Sequence, residues 1–278
     1  MRVCLFASDL HGRTERYEKL FRLIEGEAPS AVALGGDLLP ISPLAEGFIA
    51  EYLRRRLREL SSGMKESYPR LLLFLGNDDL RSEEAEVLAG EREGLWAYLH
   101  NRRLELLGRT FFGYACIPPS PFLLKDWELY DVSRHVDVGC LSPEEGWRSV
   151  PADREISSAT IQRDLEELAG SWDLEGSLFL FHAPPYKTGL DQAALHHRRV
   201  DHAPMDPHIG SIAVRRFIQR RQPLATLHGH VHESSRLSGS WRERLGRTYC
   251  YSAAWDGPEL AVVRFDLERP GEAERLLI

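Results

Sequence analysis

The sequence predicts an α/β fold, and three observations carry that prediction. Short runs of four or five residues are apolar throughout, or at all but one position as in Leu224 to Leu227. They alternate with longer stretches whose apolar residues recur at helical spacing. Five of the apolar runs lead directly into small or polar residues: Asp9 and His11, Asp37, Asn77, His182, then His230 and His232.

Val3 to Ala7 has the pattern of a strand buried on both faces and runs into Ser8-Asp9-Leu10-His11-Gly12. Thr14 to Glu25 places Tyr17, Leu20, Phe21 and Ile24 on one side of a helix. Ala31 to Leu34 is a second buried strand, ending in Gly35-Gly36-Asp37. A helix is expected from about Ala45 to Leu60. Leu71 to Leu75 is a third strand, ending in Gly76-Asn77-Asp78-Asp79, and a helical segment is expected from Ser82 to about Leu99. Leu104 to Leu107 and Thr110 to Cys116 pair around Gly108. Pro118 to Val150 is rich in Pro, Trp and turn residues and reads as a long ordered loop with short helical pieces. Ser158 to Ala169 is helical. Leu178 to Phe181 is a strand ending in His182-Ala183-Pro184-Pro185. Ser211 to Arg221 is an amphipathic helix. Leu224 to Leu227 is a strand that releases His228-Gly229-His230-Val231-His232, and Thr248 to Ser252 and Leu260 to Phe265 close as edge strands. With no repeat or linker in between, residues 1–278 are expected to form a single domain.

Composition narrows the function. Apolar residues make up 43% of 278, enough for a sizeable core. No apolar run reaches membrane-spanning length, and the apolar start is too short for a signal peptide, so a cytoplasmic protein is expected. Cys4, Cys116, Cys140 and Cys250 are too scattered for a zinc ribbon or a disulfide framework and read as small core residues. A net charge of −7 gives no basic footprint for a nucleic-acid backbone. Arg outnumbers Lys 31 to 4, too many arginines for all to be phosphate clamps.

Chance alone supplies about 0.4 His-x-His triplets in a chain with this many histidines, so the pair at His230 and His232 is weak evidence by itself. Its position after a strand raises it, because sites in open α/β sheets form beyond the carboxyl ends of strands. The same rule separates Asp9-Leu10-His11 from Asp206-Pro207-His208, which follows no strand. Mixed oxygen and nitrogen donors suit first-row metals. Seven such donors are too many for one ion and about right for two sharing a carboxylate.

In type and order these blocks resemble the calcineurin-like metallophosphoesterase family. Its pattern is Asp-x-His, Gly-Asp, Gly-Asn-His-Asp/Glu, a lone His, then Gly-His-x-His. The resemblance spans Asp9 to His232, and the stretches Phe181 to Asp191 and Leu227 to Ser234 are similar to a prokaryotic branch of the family. It implies a four-layer α/β/β/α sandwich, two mixed β-sheets flanked by helices. It further implies that Asp9, His11 and His232 ligate one metal, that Asp37 bridges, and that Asn77, His182 and His230 ligate a second. The implied cofactors are two divalent or trivalent transition-metal ions (Mn, Fe, Zn, Co or Ni). The implied activity is hydrolysis of a small phosphoester, nucleotide-like compounds included, by attack of a metal-held hydroxide. No membrane partner is expected, and a DNA nuclease is disfavoured by the acidic balance.

The chain departs from the pattern at one position. Asp78 stands where the family usually has the histidine that protonates the leaving group. A carboxylate beside two cations is ionised and a poor acid. Three readings stay open: substrates with acidic leaving groups, a donor elsewhere (His208, or one of His196, His197 and His202), or a metal-retaining interaction scaffold without turnover. Asp78 itself would then orient water or a ligand. His228 reads as a core histidine. Lys125 and Trp127 could meet a substrate phosphate and ring, although a loop pinned by its aromatic residues accounts for them better.

Overall fold

Fourteen strands and six α-helices follow one another in the computed structural model, which describes residues 2–41, 45–195, 199–200 and 202–278. In chain order the elements are β1 (Val3–Ala7), α1 (Thr14–Glu27), β2 (Ala31–Gly35), α2 (Arg54–Met64), β3 (Arg70–Phe74), α3 (Glu84–Arg92), β4 (Ala97–Tyr98), β5 (Arg102–Leu106) and β6 (Arg109–Tyr114). There follow α4 (Ile161–Ala169), β7 (Leu178–Phe181), β8 (Arg199–Val200), β9 (Ala203–Pro204), α5 (Ile212–Arg221), β10 (Ala225–His228), α6 (Ser234–Ser238), β11 (Arg242–Leu245), β12 (Thr248–Ser252), β13 (Ala261–Asp266) and β14 (Arg269–Leu277).

The strands form two mixed sheets of six, ordered β14-β13-β1-β2-β3-β4 and β11-β12-β10-β7-β6-β5, with β8 and β9 as a separate hairpin. Helices flank both sheets, which is the expected α/β/β/α sandwich. Strands β1 to β4 run parallel, as do β6, β7, β10 and β12. Register keeps their carboxyl ends level: Ala7 faces Leu34, Gly35 faces Phe74, and Leu227 faces Leu180. The two sheets meet where the imidazole of His182, just past β7, reaches the carbonyl of Gly35 on β2 at 2.8 Å.

Side chains that face both ways are buried, as the all-apolar strand sequences require. Phe179 on β7 stacks on Phe112 of β6 with ring centroids 4.4 Å apart and meets Phe217 of α5 edge-on at 5.0 Å. Full burial of one such ring contributes about 1.5–3 kcal/mol. Ser211 caps α5 by accepting the Val214 N–H, and Asp131 accepts the Ser211 hydroxyl at 2.5 Å and the Ile212 N–H at 2.7 Å, which fixes the helix start. Among the described residues no helix is long and apolar enough to cross a membrane.

Several sequence expectations need correction. The helix expected from Ala45 opens as a π-helical turn over Phe48–Leu53 and becomes α-helical only at Arg54. The segment expected to be helical up to Leu99 stops at Arg92. Gly94 takes a left-handed conformation, Trp96 folds back with its indole N–H on the Val87 carbonyl at 2.9 Å, and the chain continues as β4. β12 and β13 are interior strands, because the polar segments β11 and β14 cover them. The Pro118–Val150 loop contains no helical piece. Its backbone is satisfied across the loop instead, by pairs such as Ile117 with Trp127 and Lys125 with Trp147. Lys125 is fully buried, its ammonium 2.6 Å from Glu128 Oε2 and 2.9 Å from the Ser120 carbonyl, so it pins the loop and faces no substrate.

Candidate metal centre

Each of the five strand-end blocks delivers its polar side chains to one place. Asp9 and His11 follow β1, Asp37 follows β2, Asn77 follows β3, His182 follows β7, and His230 and His232 follow β10. Asp9, His11, Asp37 and His230 have left-handed backbone conformations, with φ of 57°, 47°, 51° and 73°. Asp and His tolerate this region better than most side chains, yet each instance costs about 1–3 kcal/mol. Such turns bend the chain sharply at the sheet edge and hold the side chains over it.

Asp9, His11, Asp37 and His232 each offer a ligand atom, and these atoms lie within 4.8 Å of one another. His11 Nε2 sits 3.1 Å from His232 Nε2, and His232 Nε2 lies 3.2 Å from Asp9 Oδ1. A second group adjoins the first. His182 Nε2 lies 2.9 Å from Asn77 Oδ1 and 3.3 Å from Asp37 Oδ2, with the His230 ring 5.2 Å from the His182 ring. Asp37 belongs to both groups.

Buried neighbours fix the donors. Asp9 accepts the Ser8 hydroxyl at 2.5 Å and the His230 N–H at 3.0 Å, and Arg16 holds the Asp9 carbonyl at 2.9 Å. The Asn77 amide donates to Asp78 Oδ1 at 2.8 Å, which turns its oxygen toward His182. Asp79 is fully buried and accepts three backbone N–H groups, from Leu38, Leu39 and Gly76. It thereby ties the loop of Asp37 to the turn of Asn77. The Trp127 indole donates to the Asp79 carbonyl at 2.8 Å. No sequence signal marks the roles of Arg16 and Trp127, which act on backbone carbonyls, whereas Asp79 stands at the last position of the Gly76-Asn77-Asp78-Asp79 turn.

The electrostatics favour cations. Burial alone would lower His182 and His232, but the Asp37 and Asp9 carboxylates outweigh it and raise the imidazoles to about 10 and about 9. Asp9 stays well below the usual carboxylate range despite its burial, because imidazoles surround it, and Asp37 is held at about 2 for the same reason. Asp78 moves the other way, to about 7, through burial and the nearby Asp37 charge. Bound cations would act in the opposite direction on Asp78. His11 Nδ1 is buried without a hydrogen-bond partner. Two carboxylates, an amide oxygen and imidazoles with spare nitrogens fit a first-row metal centre.

The remaining candidates lie elsewhere. His228 is buried with both nitrogens engaged, Nδ1 at 3.0 Å from the Ala183 carbonyl and Nε2 at 2.8 Å from Thr226 Oγ1, as a core histidine should be. His208 pairs with buried Asp191, Nδ1 to Oδ1 at 2.7 Å. Segments leaving the centre flank it. Tyr186, four residues beyond His182, has its ring 6.1 Å away, and Gln192, bridged to His208, precedes Ala194, whose N–H donates to Glu233 beside His232. His202 lies exposed in the β8–β9 turn, and His196 and His197 fall outside the described residues.

Comparison with known proteins gives the family and the fold. The family model described as calcineurin-like phosphoesterase matches residues 3–234. The protein TT1561 of Thermus thermophilus has a similar structure, with 18% identity and a TM-score of 0.56 over 99% of this chain and 98% of that one. A dimetal phosphatase from Danio rerio superposes with 12% identity and a TM-score of 0.54 over 94% of this chain and 91% of that one. For the phosphopantetheinyl hydrolase of Mycobacterium tuberculosis the values are 13% and 0.50, over 91% and 89%. At these identities the likeness is one of fold. No functionally curated protein matches the sequence.

Proposed function

We infer that the chain, which belongs to the calcineurin-like phosphoesterase family, hydrolyses phosphate esters with two transition-metal ions. The observation that carries this is the convergence of two donor groups on one shared carboxylate, Asp37. Asp9, His11 and His232 would hold one ion, Asn77, His182 and His230 the other, with Asp37 between them. Bound there, ions such as Mn, Fe, Zn, Co or Ni supply Lewis-acid polarisation of a phosphoryl oxygen and lower the pKa of water.

The protein's own contribution is placement. Asp79 keeps the Asp37 loop and the Asn77 turn at a fixed separation. Asp78 orients the Asn77 amide and stands 3.7 Å from His11 Nδ1, where it orients a ligand rather than donates a proton. His208, whose Nδ1 pairs with Asp191, is the proposed proton donor for leaving groups that need one. The substrate is a small phosphodiester or an activated phosphomonoester, nucleotide-like compounds included.

Elemental analysis of the purified protein, followed by assays with bis(p-nitrophenyl) phosphate and p-nitrophenyl phosphate, tests this. Turnover should vanish on chelation, return with Mn²⁺, and fall at least about 100-fold in Asp37→Asn, in line with losses for disrupted metal sites. Metal-loaded protein inert toward both esters would overturn hydrolysis. It would favour instead the metal-retaining scaffold that Asp78 suggests.

A further inference from the structure

A cavity of about 260 Å³ opens on the same carboxyl edge as the metal centre, between the turn after β4, the end of β6 and the loop before α4. None of the proposed metal donors lines it. Trp127 forms part of its wall and separates it from the Asn77-Asp78-Asp79 turn, to which the indole is tied. The cavity is lined by three guanidiniums, Arg81, Arg148 and Arg154, and by three carboxylates.

Each carboxylate already accepts hydrogen bonds. Asp164 takes a two-pronged pair from Arg154 at 2.6 Å and the Tyr114 hydroxyl at 2.7 Å. Asp126 accepts the backbone N–H groups of Arg81 and Ser149 and the Ser149 hydroxyl. Asp153 accepts Arg81 at 2.8 Å. The donors are not used up. Arg148 has no carboxylate within ion-pair distance among the described residues, and only the carbonyls of Asp126, Glu128 and Pro143 hold it, at 3.1–3.4 Å. His100 Nδ1 accepts the Ala115 N–H at 3.1 Å, which places the ring proton on Nε2, and no acceptor for that proton occurs among the described residues. Burial together with Arg81 and Arg154 keeps this ring neutral, down to about 3. The cavity therefore offers spare donors on Arg148, an unpaired cation, and on His100.

We propose that this cavity is a second site, distinct from the metal centre, that binds a small oxyanion (phosphate or carboxylate) between Arg148 and the His100 Nε2–H. The anion is either a free ion, such as released phosphate, or a second anionic group carried by the substrate. The site does not depend on the hydrolase reading, because its residues and the first part of its test involve no metal.

Inorganic phosphate titrated calorimetrically into chelator-treated full-length protein is the probe. One phosphate should bind per chain, with affinity at least tenfold weaker in Arg148→Gln and in His100→Asn, and unchanged in Asp37→Asn. His100→Asn keeps an acceptor for the Ala115 N–H and so guards against misfolding, with thermal midpoints as the control. No binding up to about 20 mM phosphate, well above the millimolar range of the weakest useful affinity, would overturn the proposal, as would binding indifferent to both variants. Turnover of Mn²⁺-loaded Arg148→Gln separates the two sources. A tenfold loss in kcat/KM confined to a substrate with a second phosphate identifies a substrate group. Unchanged kcat/KM for both substrates, with weakened phosphate binding, identifies a free ion.

Discussion

Asp79 shows how one side chain can govern a site it does not enter. Its carboxylate gathers N–H groups from two loops, and burial beside Asp37 pushes it up to about 8 while those three donors pull the other way. Asp79→Asn turns an amide toward at least one of those N–H groups and leaves a buried donor unpaired, a cost of about 1–3 kcal/mol. The Asp37 loop then loses its anchor, and Mn²⁺ affinity should fall about 10–100-fold, as for other groups that orient ligands. Urea unfolding and a Mn²⁺ titration read the two effects separately; wild-type metal affinity in a destabilised Asp79→Asn protein would count against the anchoring role. The position of Asp79 is legible in the Gly76-Asn77-Asp78-Asp79 turn, but its anchoring role is not, because its partners are backbone amides. The proposed ligands are legible because each follows an apolar run, the rule that set Asp9-Leu10-His11 above Asp206-Pro207-His208.

At the scale of elements, the turns after the parallel strands matter more than the strands themselves. A Cβ at Gly229 would lie 2.7 Å from Asp9 Oδ2, and one at Gly36 would lie 2.7 Å from His182 Nδ1. The glycines before His230 and Asp37 thus let the loop backbone pass beside a proposed ligand from another strand. Gly229→Ala should keep the fold, displace Asp9 and weaken the binding of one metal at least tenfold, which elemental analysis after dialysis would detect as a drop of one ion per chain. Retention of both metals would show that the turn can yield. The loop between β7 and α5 makes a different prediction. If His208 donates the proton, His208→Asn should slow hydrolysis of an alkyl ester at least about 100-fold while barely touching a p-nitrophenyl ester, whose leaving group needs no acid. Equal losses on both would remove His208 from that role. Parallel strands were readable as uniformly apolar runs because both faces are covered. The edge strands β11 and β14 were not, since Arg242–Leu245 and Arg269–Leu277 are mostly polar and Pro270 is tolerated only at an edge. The two-residue β4 is too short to carry a period.

Across the whole molecule, the centre joins the two sheets, so its protonation bears on global stability. His182 and His232 are raised above their unfolded value near 6.5, and Asp78 and Asp79 are raised above theirs near 4. These four shifts have one sign, and His11 and His230, held low by burial, oppose them only up to about pH 7, where an unfolded imidazole still carries its proton. Above that the centre binds more protons in the folded chain than in the unfolded one, so stability falls as pH rises. For the two imidazoles, the contribution is fully present below pH 6.5 and is lost as pH climbs through about 9 and about 10. Each proton involved contributes a slope of about 1.4 kcal/mol per pH unit. Chelator-treated protein should therefore show a lower urea midpoint at pH 9 than at pH 6.5. Metal ions reverse the dependence, because they need the imidazoles neutral and the carboxylates ionised and must displace those same protons. With saturating Mn²⁺ the midpoint should rise between pH 6 and pH 8, and binding should release protons into a weak buffer. A chelated midpoint that climbs with pH would show that the cluster does not hold its protons in the folded chain. A Mn²⁺ dependence parallel to the chelated one would show that the cation does not replace them.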